Sequence, residues 1–180
     1  MAIRVAQYAT GNAGRLTLRQ LIDDPRFELV AVGVSNSDKA GRDAGELAGL
    51  GVTTGVTAEV GLDPLIAARP DCIVYCAMGD TRPVEATSDI RRILEAGIDV
   101  VGSAPGTLQY PWGTMPDAVV AKVEAAAQAG HASVYITGVD PGFASDLIPL
   151  ALASTCQRIE RITCSEIADW ALEAVPPESA

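Results

Sequence analysis

Five apolar runs alternate along this sequence with segments whose apolar residues have helical spacing, and this alternation restricts the fold more than any other feature. The runs lie near residues 3–8, 28–35, 71–78, 98–103 and 132–138. They are apolar at consecutive positions, which is typical of strands in a parallel sheet that helices cover on both faces. The sequence therefore predicts an α/β fold with a doubly wound parallel sheet over residues 1–150. Ligands of such sheets bind just beyond the carboxyl ends of the strands.

Weaker signals fill the connections between these runs. The stretch "GVTTGVT" at residues 51–57 has the composition of a short third strand. Asp63 followed by Pro64 predicts a helix whose N-cap is Asp63. Thr114 and Asp117 have the spacing of a capping box, which places the start of another helix there.

The composition excludes several classes of function. The chain has 180 residues, with 13 Lys and Arg against 23 Asp and Glu, so its net charge is −10. This acidic balance argues against nucleic acid or an anionic membrane as the main partner. The apolar runs are too short to span a membrane, and the first begins at once, so we expect a cytoplasmic protein without a signal peptide. The four cysteines form no C-x-x-C pair and His131 is the only histidine, so we expect no metal site. Cys72 and Cys76 lie in an apolar run, which predicts buried thiols in a reducing compartment.

The first apolar run is followed by a glycine-containing loop and then by a helical segment. The loop reads "ATGNAGR" and resembles G-x-G-x-x-G, with Ala9 in the first glycine position, then Gly11 and Gly14. Gly11 allows the backbone to approach a pyrophosphate, and Gly14 allows the helix to pack closely on the strand. The predicted binding residues are Thr10, Gly11, Asn12, Ala13, Gly14 and Arg15. The context favours a Rossmann-type dinucleotide site over the alternative, a merely tight strand–helix turn.

The second run ends without an acidic residue at the position where many NAD sites bind the ribose 2′-hydroxyl. Ser35, Asn36 and Ser37 stand there instead, with Lys39 and Arg42 close behind. Hydroxyl and amide donors beside two cations suit a 2′-phosphate, so we expect NADP(H) to be preferred, with NAD(H) as the alternative cofactor. A methyltransferase is disfavoured, because its cofactor ribose usually needs a carboxylate at this place. The competing interpretation is a polar surface loop.

Two long stretches resemble the dihydrodipicolinate reductase-like superfamily. They are "YATGNAGRLTLRQLIDDPRFELVAVGVSNSDKAGRDAGELAG" and "TGVDPGFASDLIPLALASTCQRIERITCSEIADW", of which "GVDPGFASD" is the more specific part. Within the superfamily the sequence is more similar to the branch of 2,4-diaminopentanoate dehydrogenases and related NAD(P)-dependent amine dehydrogenases, whose N-terminal half it matches. The resemblance implies an oxidoreductase that transfers hydride to or from a C=N or C=O carbon of a small amino or keto substrate.

The resemblance also implies a division of the chain and further cofactor contacts. Residues 1–150 would form the NAD(P)-binding domain, and residues 151–180 the hinge helix and first strand of a substrate and oligomerisation domain. Loops after the later strands would contact the ribose and nicotinamide through Cys76, Ala77, Met78, Gly102, Ser103 and Ala104. The turn formed by Asp140, Pro141 and Gly142 would line the nicotinamide end, although Pro-Gly also makes plain turns.

Two departures from the family pattern concern the catalytic groups. The Glu-x-His-His stretch of dihydrodipicolinate reductases is replaced by "SEIADWALEA", which has Glu166 but no histidine and disfavours that reaction. The pair Tyr110-Pro111 lacks the preceding acid of the amine dehydrogenases, which disfavours amine chemistry. The candidate catalytic residues are Tyr110, as a proton donor, and Asp140 or Glu166, as an acid that orients an amine. For each of the three, a purely structural role is the favoured alternative. Because family members are considerably longer, a non-catalytic NADP(H)-binding module, or a fragment that needs a partner, is the alternative function.

The final part of the chain carries one more prediction. The stretch "RIERITCSEIADW" at residues 158–170 is expected to be a strand that begins a second sheet. An unpaired strand exposes backbone donors and acceptors, and Ile159, Ile162, Ile167 and Trp170 add apolar surface. We therefore expect either a homodimer through this C-terminal segment or disorder of the segment.

Overall fold

The computed structural model describes residues 2–79 and 81–167, and these form one six-stranded parallel sheet with helices on both faces. The strand order is β3-β2-β1-β4-β5-β6, and every adjacent pair is parallel. The strands are β1 (Ile3–Tyr8), β2 (Phe27–Val34), β3 (Ala58–Val60), β4 (Cys72–Tyr75), β5 (Asp99–Gly102) and β6 (Val134–Ile136). This order and direction confirm the doubly wound, Rossmann-type fold.

Six α-helices lie in the described part of the chain, and the first five of them cover the sheet. They are α1 (Asn12–Asp23), α2 (Ala44–Ala48), α3 (Asp63–Ala67), α4 (Pro83–Glu95), α5 (Asp117–Gly130) and α6 (Ile148–Ala153). Short 3-10 turns occupy Ser37–Lys39 and Gly106–Leu108, and a π-helical turn over Phe143–Leu147 leads into α6. None of the helices within residues 2–79 and 81–167 is long and apolar enough to cross a membrane.

The core consists of two layers, one on each face of the sheet. On one face Ile73 and Tyr75 of β4 pack with buried residues of α4 such as Ile90 and Leu94. On the other face Leu18 of α1 and Leu47 of α2 pack against Val32 and Val34 of β2. Because α1 and α4 lie on opposite faces, the chain leaves β1 and β4 in opposite directions, and a crevice opens between the carboxyl ends of these strands.

The third strand, which was predicted from a weak sequence signal, lies at a different position in the structure. The third strand is Ala58–Val60 and not residues 51–57, because the carboxylate of Asp43 binds the backbone N–H groups of Thr54 and Gly55. These N–H groups are bound to the side chain of Asp43, the N-cap residue of α2, and are therefore not available to a strand.

Two helix starts also differ from the sequence prediction. The N-cap of α3 is Leu62, so Asp63 and Pro64 lie inside the first turn. The capping box at α5 is absent: the hydroxyl of Thr114 donates to the carbonyl of Tyr110 at 2.7 Å, and the helix begins after Pro116. Neither helix has a side-chain cap: Pro64 lies in the first turn of α3, and Pro116 is itself the N-cap residue of α5.

The predicted strand at residues 158–170 is wrong for the part that the structure describes. Residues 158–167 contain no strand, and they are exposed to solvent. A strand requires a neighbouring strand to satisfy its backbone groups, and no described segment pairs with this one. Residues 168–170, including Trp170, lie outside the described residues.

Candidate functional site

The loops that follow β1, β2, β4 and β5 meet at one edge of the sheet, where parallel sheets bind their ligands. The backbone N–H of Cys76 donates to the carbonyl of Tyr8 at 2.9 Å, which joins the ends of β4 and β1. The N–H of Ala9 donates to the carbonyl of Gly33 at 2.8 Å, which joins the ends of β1 and β2. The sheet thus brings the glycine loop together with the segments on both sides of it.

The glycine loop has the conformation that close packing of a helix on a strand requires. Ala9 has a φ of 74°, in the left-handed region that glycine usually occupies, so alanine takes the backbone conformation expected for the first glycine of the motif. A Cβ atom on Gly14 would lie 2.3 Å from the carbonyl oxygen of Ala9. Only glycine at position 14 therefore allows α1 to begin so close to the loop.

The side chain of Gln7 in β1 binds the backbone of the glycine loop. This residue was not identified from the sequence. Its side chain is fully buried in β1, and its Nε2 donates to the carbonyls of Ala9 at 2.9 Å and Gly14 at 2.7 Å. The amide thereby fixes the loop relative to the first turn of α1. The available signal was a single glutamine within the apolar run "IRVAQY".

The start of α1 offers backbone donors to an anion. Asn12 and Ala13 are exposed, and the first turn of α1 contains no acidic side chain. The N–H of Arg15 is already bonded to the carbonyl of Gly11 at 2.8 Å, so the predicted role of Arg15 as a backbone donor is not available. Beside these groups the buried hydroxyl oxygen of Thr10 has no hydrogen-bond partner within the described chain. A buried hydroxyl without a partner fits a bound polar ligand.

A small cleft separates the glycine loop from the end of β2. Its lining residues are Ala9, Thr10, Gly11, Val34, Ser35, Asn36 and Lys39. The ammonium group of Lys39 bridges the cleft by donating to the carbonyl of Thr10 at 3.4 Å. Ser37 and Arg42 are not among the lining residues, and the guanidinium of Arg42 pairs with Glu46 at 3.0 Å. Of the two predicted cations, Lys39 is therefore the one that faces the cleft.

The predicted contacts from β4 and β5 lie in two touching loops. A Cβ on Gly79 would be 2.8 Å from the Cβ of Ala104, so the two loops are in direct contact. Ala77 and Ala104 are buried, whereas Met78 and Ser103 are exposed at the surface of these loops.

Cys76 is placed against the start of α1. Its thiol is 3.8 Å from the hydroxyl of Thr17. Burial raises the pKa of this thiol, an effect that the contact with Thr17 partly opposes. The sulfur is therefore protonated at neutral pH and is not a nucleophile.

A second cavity lies between the loop after β5 and the turn after β6. It is lined by Gly106, Thr107, Gln109, Tyr110, Thr114, Pro141 and Asp146. The amide Nε2 of Gln109 donates to Oδ2 of Asp146 at 3.1 Å, which links the two walls. Tyr110 thus lies in a cavity, as a proton donor would, but Asp140 and Glu166 are not among its lining residues. The acid in this cavity is Asp146, which was not identified from the sequence.

The described residues contain no group of three or more His, Cys, Asp or Glu side chains arranged to hold a metal ion. The candidate site therefore consists of backbone donors, hydroxyls, amides, one lysine and one carboxylate. Such a set suits an organic anion at the glycine loop and a small polar molecule in the second cavity.

Comparison with known proteins finds relatives by sequence and by fold. No family model matches the sequence. The chain is 41% identical over 168 residues to an amine dehydrogenase from Streptomyces virginiae, which covers 93% of this chain and 46% of that protein. The fold matches the solved amine dehydrogenase from Mycobacterium smegmatis with a TM-score of 0.74 and 26% identity, over 89% of this chain and 46% of that one. The chain is a relative of the amine dehydrogenases.

This relationship confirms the resemblance identified in the sequence. A dihydrodipicolinate reductase from Paenisporosarcina sp. TG-14, solved with dipicolinate, has the same fold, with a TM-score of 0.60 and 20% identity over 86% of this chain and 53% of that one. The chain spans about half the length of the amine dehydrogenases that it matches.

Proposed function

We propose that this chain is the nicotinamide-dinucleotide-binding part of an oxidoreductase of the amine dehydrogenase type. The observation that carries the proposal is the loop between β1 and α1, where Gly14 packs against Ala9 and the buried Thr10 hydroxyl lacks a partner. The loop lies at the crevice between β1 and β4, where this fold binds dinucleotides. The bound dinucleotide would accept or donate the hydride, from or to the carbon of a small amine, imine or carbonyl substrate.

The residues of the loop and the adjoining cleft fit the phosphate-containing half of such a cofactor. The N–H groups of Asn12 and Ala13 and the hydroxyl of Thr10 would bind the pyrophosphate at the positive end of α1. Ser35, Asn36 and Lys39 would surround the adenosine ribose. Lys39 carries a positive charge into this cleft and no acid lines it, which supports a preference for NADP(H) over NAD(H).

The nicotinamide half would lie over the touching loops after β4 and β5. The residues proposed to contact it are Cys76, Ala77, Met78, Gly102, Ser103, Ala104, Asp140, Pro141 and Gly142. Because Cys76 is held as a neutral thiol against α1, it would contribute packing and not chemistry. Tyr110, in the second cavity, stays the candidate proton donor.

The cofactor preference is tested by titrating NADPH and NADH into the wild-type chain and into Lys39→Gln, with ligand fluorescence as the readout. Removing the cation from the cleft should weaken NADPH binding about tenfold and leave NADH binding unchanged, because only NADPH carries the 2′-phosphate. Arg42→Gln is the matched control, because Arg42 is paired with Glu46 and its loss should have a smaller effect. Equal affinities of the wild-type chain for both cofactors would contradict the preference, and binding of neither would contradict the proposed function.

The second candidate function is a dinucleotide-binding module that needs a partner for catalysis. It is favoured by the exposure of Leu150 at 63% and Leu152 at 67% in α6, since such apolar side chains are usually covered. Turnover of NADPH with a ketone and ammonia by the isolated chain would favour the enzyme. Binding of NADPH without turnover would favour the module.

The domain division also belongs to the proposal. Residues 1–150 would be the cofactor domain and residues 151–180 the start of a substrate and oligomerisation domain, through which the chain would form a homodimer. The cytoplasm is proposed as its location, because its cysteines are not arranged as a disulfide framework; all four are free thiols.

A further inference from the structure

The cavity that contains Tyr110 and Asp146 has the chemistry of a site for an organic ammonium group. We propose that the carboxylate of Asp146, positioned by Gln109, binds the nitrogen of the substrate. This inference rests on the proposed function, since it names the part of the site that recognises the amine.

The two residues come from loops that follow neighbouring strands. Gln109 lies at the end of the 3-10 turn after β5, and Asp146 lies in the π-helical turn after β6. They are 37 positions apart in the sequence, yet Nε2 of Gln109 is 3.1 Å from Oδ2 of Asp146. Both loops leave the carboxyl ends of parallel strands, at the edge of the sheet where ligands bind.

The turn that carries Asp146 is fixed by its own backbone. The N–H of Asp146 donates to the carbonyl of Gly142 at 2.8 Å, and the N–H of Gly142 donates to the hydroxyl of Ser145 at 3.0 Å. On the opposite wall the hydroxyl of Thr114 donates to the carbonyl of Tyr110 at 2.7 Å. These bonds fix the backbone of the two walls, and the Gln109 amide binds one oxygen of the exposed Asp146 carboxylate, so part of the orientation of the carboxylate is set before a ligand arrives.

The lining of the cavity selects a cation that is not a metal. Asp146 is the one charged side chain among the seven lining residues, and the others offer hydroxyls, an amide and apolar surface. None of the ion pairs within residues 2–79 and 81–167 includes Asp146. A metal ion would require more ligands than one carboxylate, and the described chain has no cluster of three. An alkylammonium group has three N–H donors that match a carboxylate and neighbouring hydroxyls.

The carboxylate of Asp146 can bind both positively charged forms of the substrate nitrogen during amine oxidation, the ammonium and the iminium ion. The ammonium first loses a proton to water. The C–H bond at the adjacent carbon then breaks, its electron pair leaves as hydride to the oxidised nicotinamide dinucleotide, and the nitrogen lone pair forms the C=N bond. The amine is oxidised to an iminium ion, the dinucleotide is reduced, and water hydrolyses the iminium ion to a carbonyl compound and ammonium. A fixed carboxylate stabilises the positive charge of the iminium ion.

This assignment accounts for the absence of an acid before Tyr110-Pro111. The stretch "APGTLQ" brings no carboxylate to this wall of the cavity, but Gln109 within it brings an amide that holds Asp146 from the opposite wall. The negative charge is therefore supplied by the loop after β6 and not by the loop after β5.

The test measures binding of cyclohexylammonium and of the neutral cyclohexanol to the full chain by calorimetry, without reference to turnover. Asp146→Asn should weaken cyclohexylammonium binding at least about tenfold and leave cyclohexanol binding unchanged, because it removes a charge and keeps the shape. Asp117→Asn is the matched control, because Asp117 is an exposed acid at the start of α5, three positions after Thr114, and is not among the lining residues. Gln109→Met, which keeps the carboxylate and removes its donor, should weaken cyclohexylammonium binding by a smaller factor.

Three outcomes overturn the inference. They are equal cyclohexylammonium affinity in Asp146→Asn and the wild type, an equal loss in Asp117→Asn, and a wild-type chain that does not distinguish cyclohexylammonium from cyclohexanol. NADPH binding, measured on every variant, separates this inference from the proposed function. A chain that binds NADPH but not the ammonium contradicts only the role of Asp146, whereas a chain that binds no dinucleotide contradicts the proposed function.

Discussion

At the scale of single residues, the glycine loop depends on the absence of one Cβ atom. An alanine at position 14 would place its Cβ 2.3 Å from the carbonyl oxygen of Ala9, which is backbone and cannot rotate away. The start of α1 would have to move from the loop, and the hydrogen bond from Gln7 to the Gly14 carbonyl would be strained with it.

We therefore expect Gly14→Ala to lower the free energy of unfolding by about 1–3 kcal/mol, as overpacking does, and to weaken dinucleotide binding at least about tenfold. Urea denaturation and NADPH titration measure the two effects. Gly51→Ala is the control for the same chemical change, because a Cβ there meets no atom within 4 Å. If both substitutions have equal effects, the close approach of α1 to the loop is not what the site requires.

At the scale of elements, α2 is held at its N-terminus by an ionised carboxylate. Asp43 accepts hydrogen bonds from the N–H groups of Gly45 at 2.8 Å, Thr54 at 3.0 Å and Gly55 at 2.8 Å. These bonds, the one from Thr54 most of all, hold the pKa of Asp43 below its usual value of 3.8. A depressed pKa means that the carboxylate stabilises the folded chain above the unfolded pKa and that this contribution is lost as the pH falls through the folded pKa.

Asp43→Asn should therefore lower the urea midpoint at pH 6, and the difference from the wild type should shrink on lowering the pH to 3. Asparagine keeps one acceptor oxygen but not the charge that the surrounding N–H groups stabilise. The control is Asp38→Asn, because Asp38 is exposed and is bonded through its backbone N–H. A difference that stays constant from pH 6 to pH 3 would contradict the role of the ionised carboxylate.

At the scale of the whole molecule, apolar surface is concentrated after the sheet ends. In α6 and the segment after it, Leu150, Leu152, Ile159, Ile162 and Ile167 have exposed fractions between 46% and 98%. Exposed apolar side chains that are close in sequence are typical of surfaces that a partner covers.

We expect the full chain to form a dimer and the chain without residues 158–180 to be a monomer, because the deletion removes much of this surface. Size exclusion coupled to light scattering gives the mass of each. The double substitution Ile159→Ser and Ile162→Ser, which leaves the length unchanged, should also shift the equilibrium towards the monomer. A full chain that stays monomeric at high concentration would exclude this segment as the dimer contact.

The fold and the glycine loop could be predicted because their signals are local. The apolar runs near residues 28–35 and 98–103 became β2 and β5 with boundaries shifted by a residue. The run at residues 71–78 was predicted too long, because residues 76–78 leave the sheet to form the loop against α1. The third strand was misplaced, because Asp43, distant in sequence, takes the backbone donors of Thr54 and Gly55.

By itself the sequence determined the alternation of strands and helices and the glycine loop, since hydrophobic periodicity and turn residues act over a few positions. Tertiary structure alone decided which side chains share a cavity. The bond between Gln109 and Asp146 crosses 37 positions, and the pairing of Arg42 with Glu46 leaves Lys39 to face the cleft. Such contacts depend on which loops the strand order brings to one edge of the sheet, and no pattern of neighbouring residues encodes that placement.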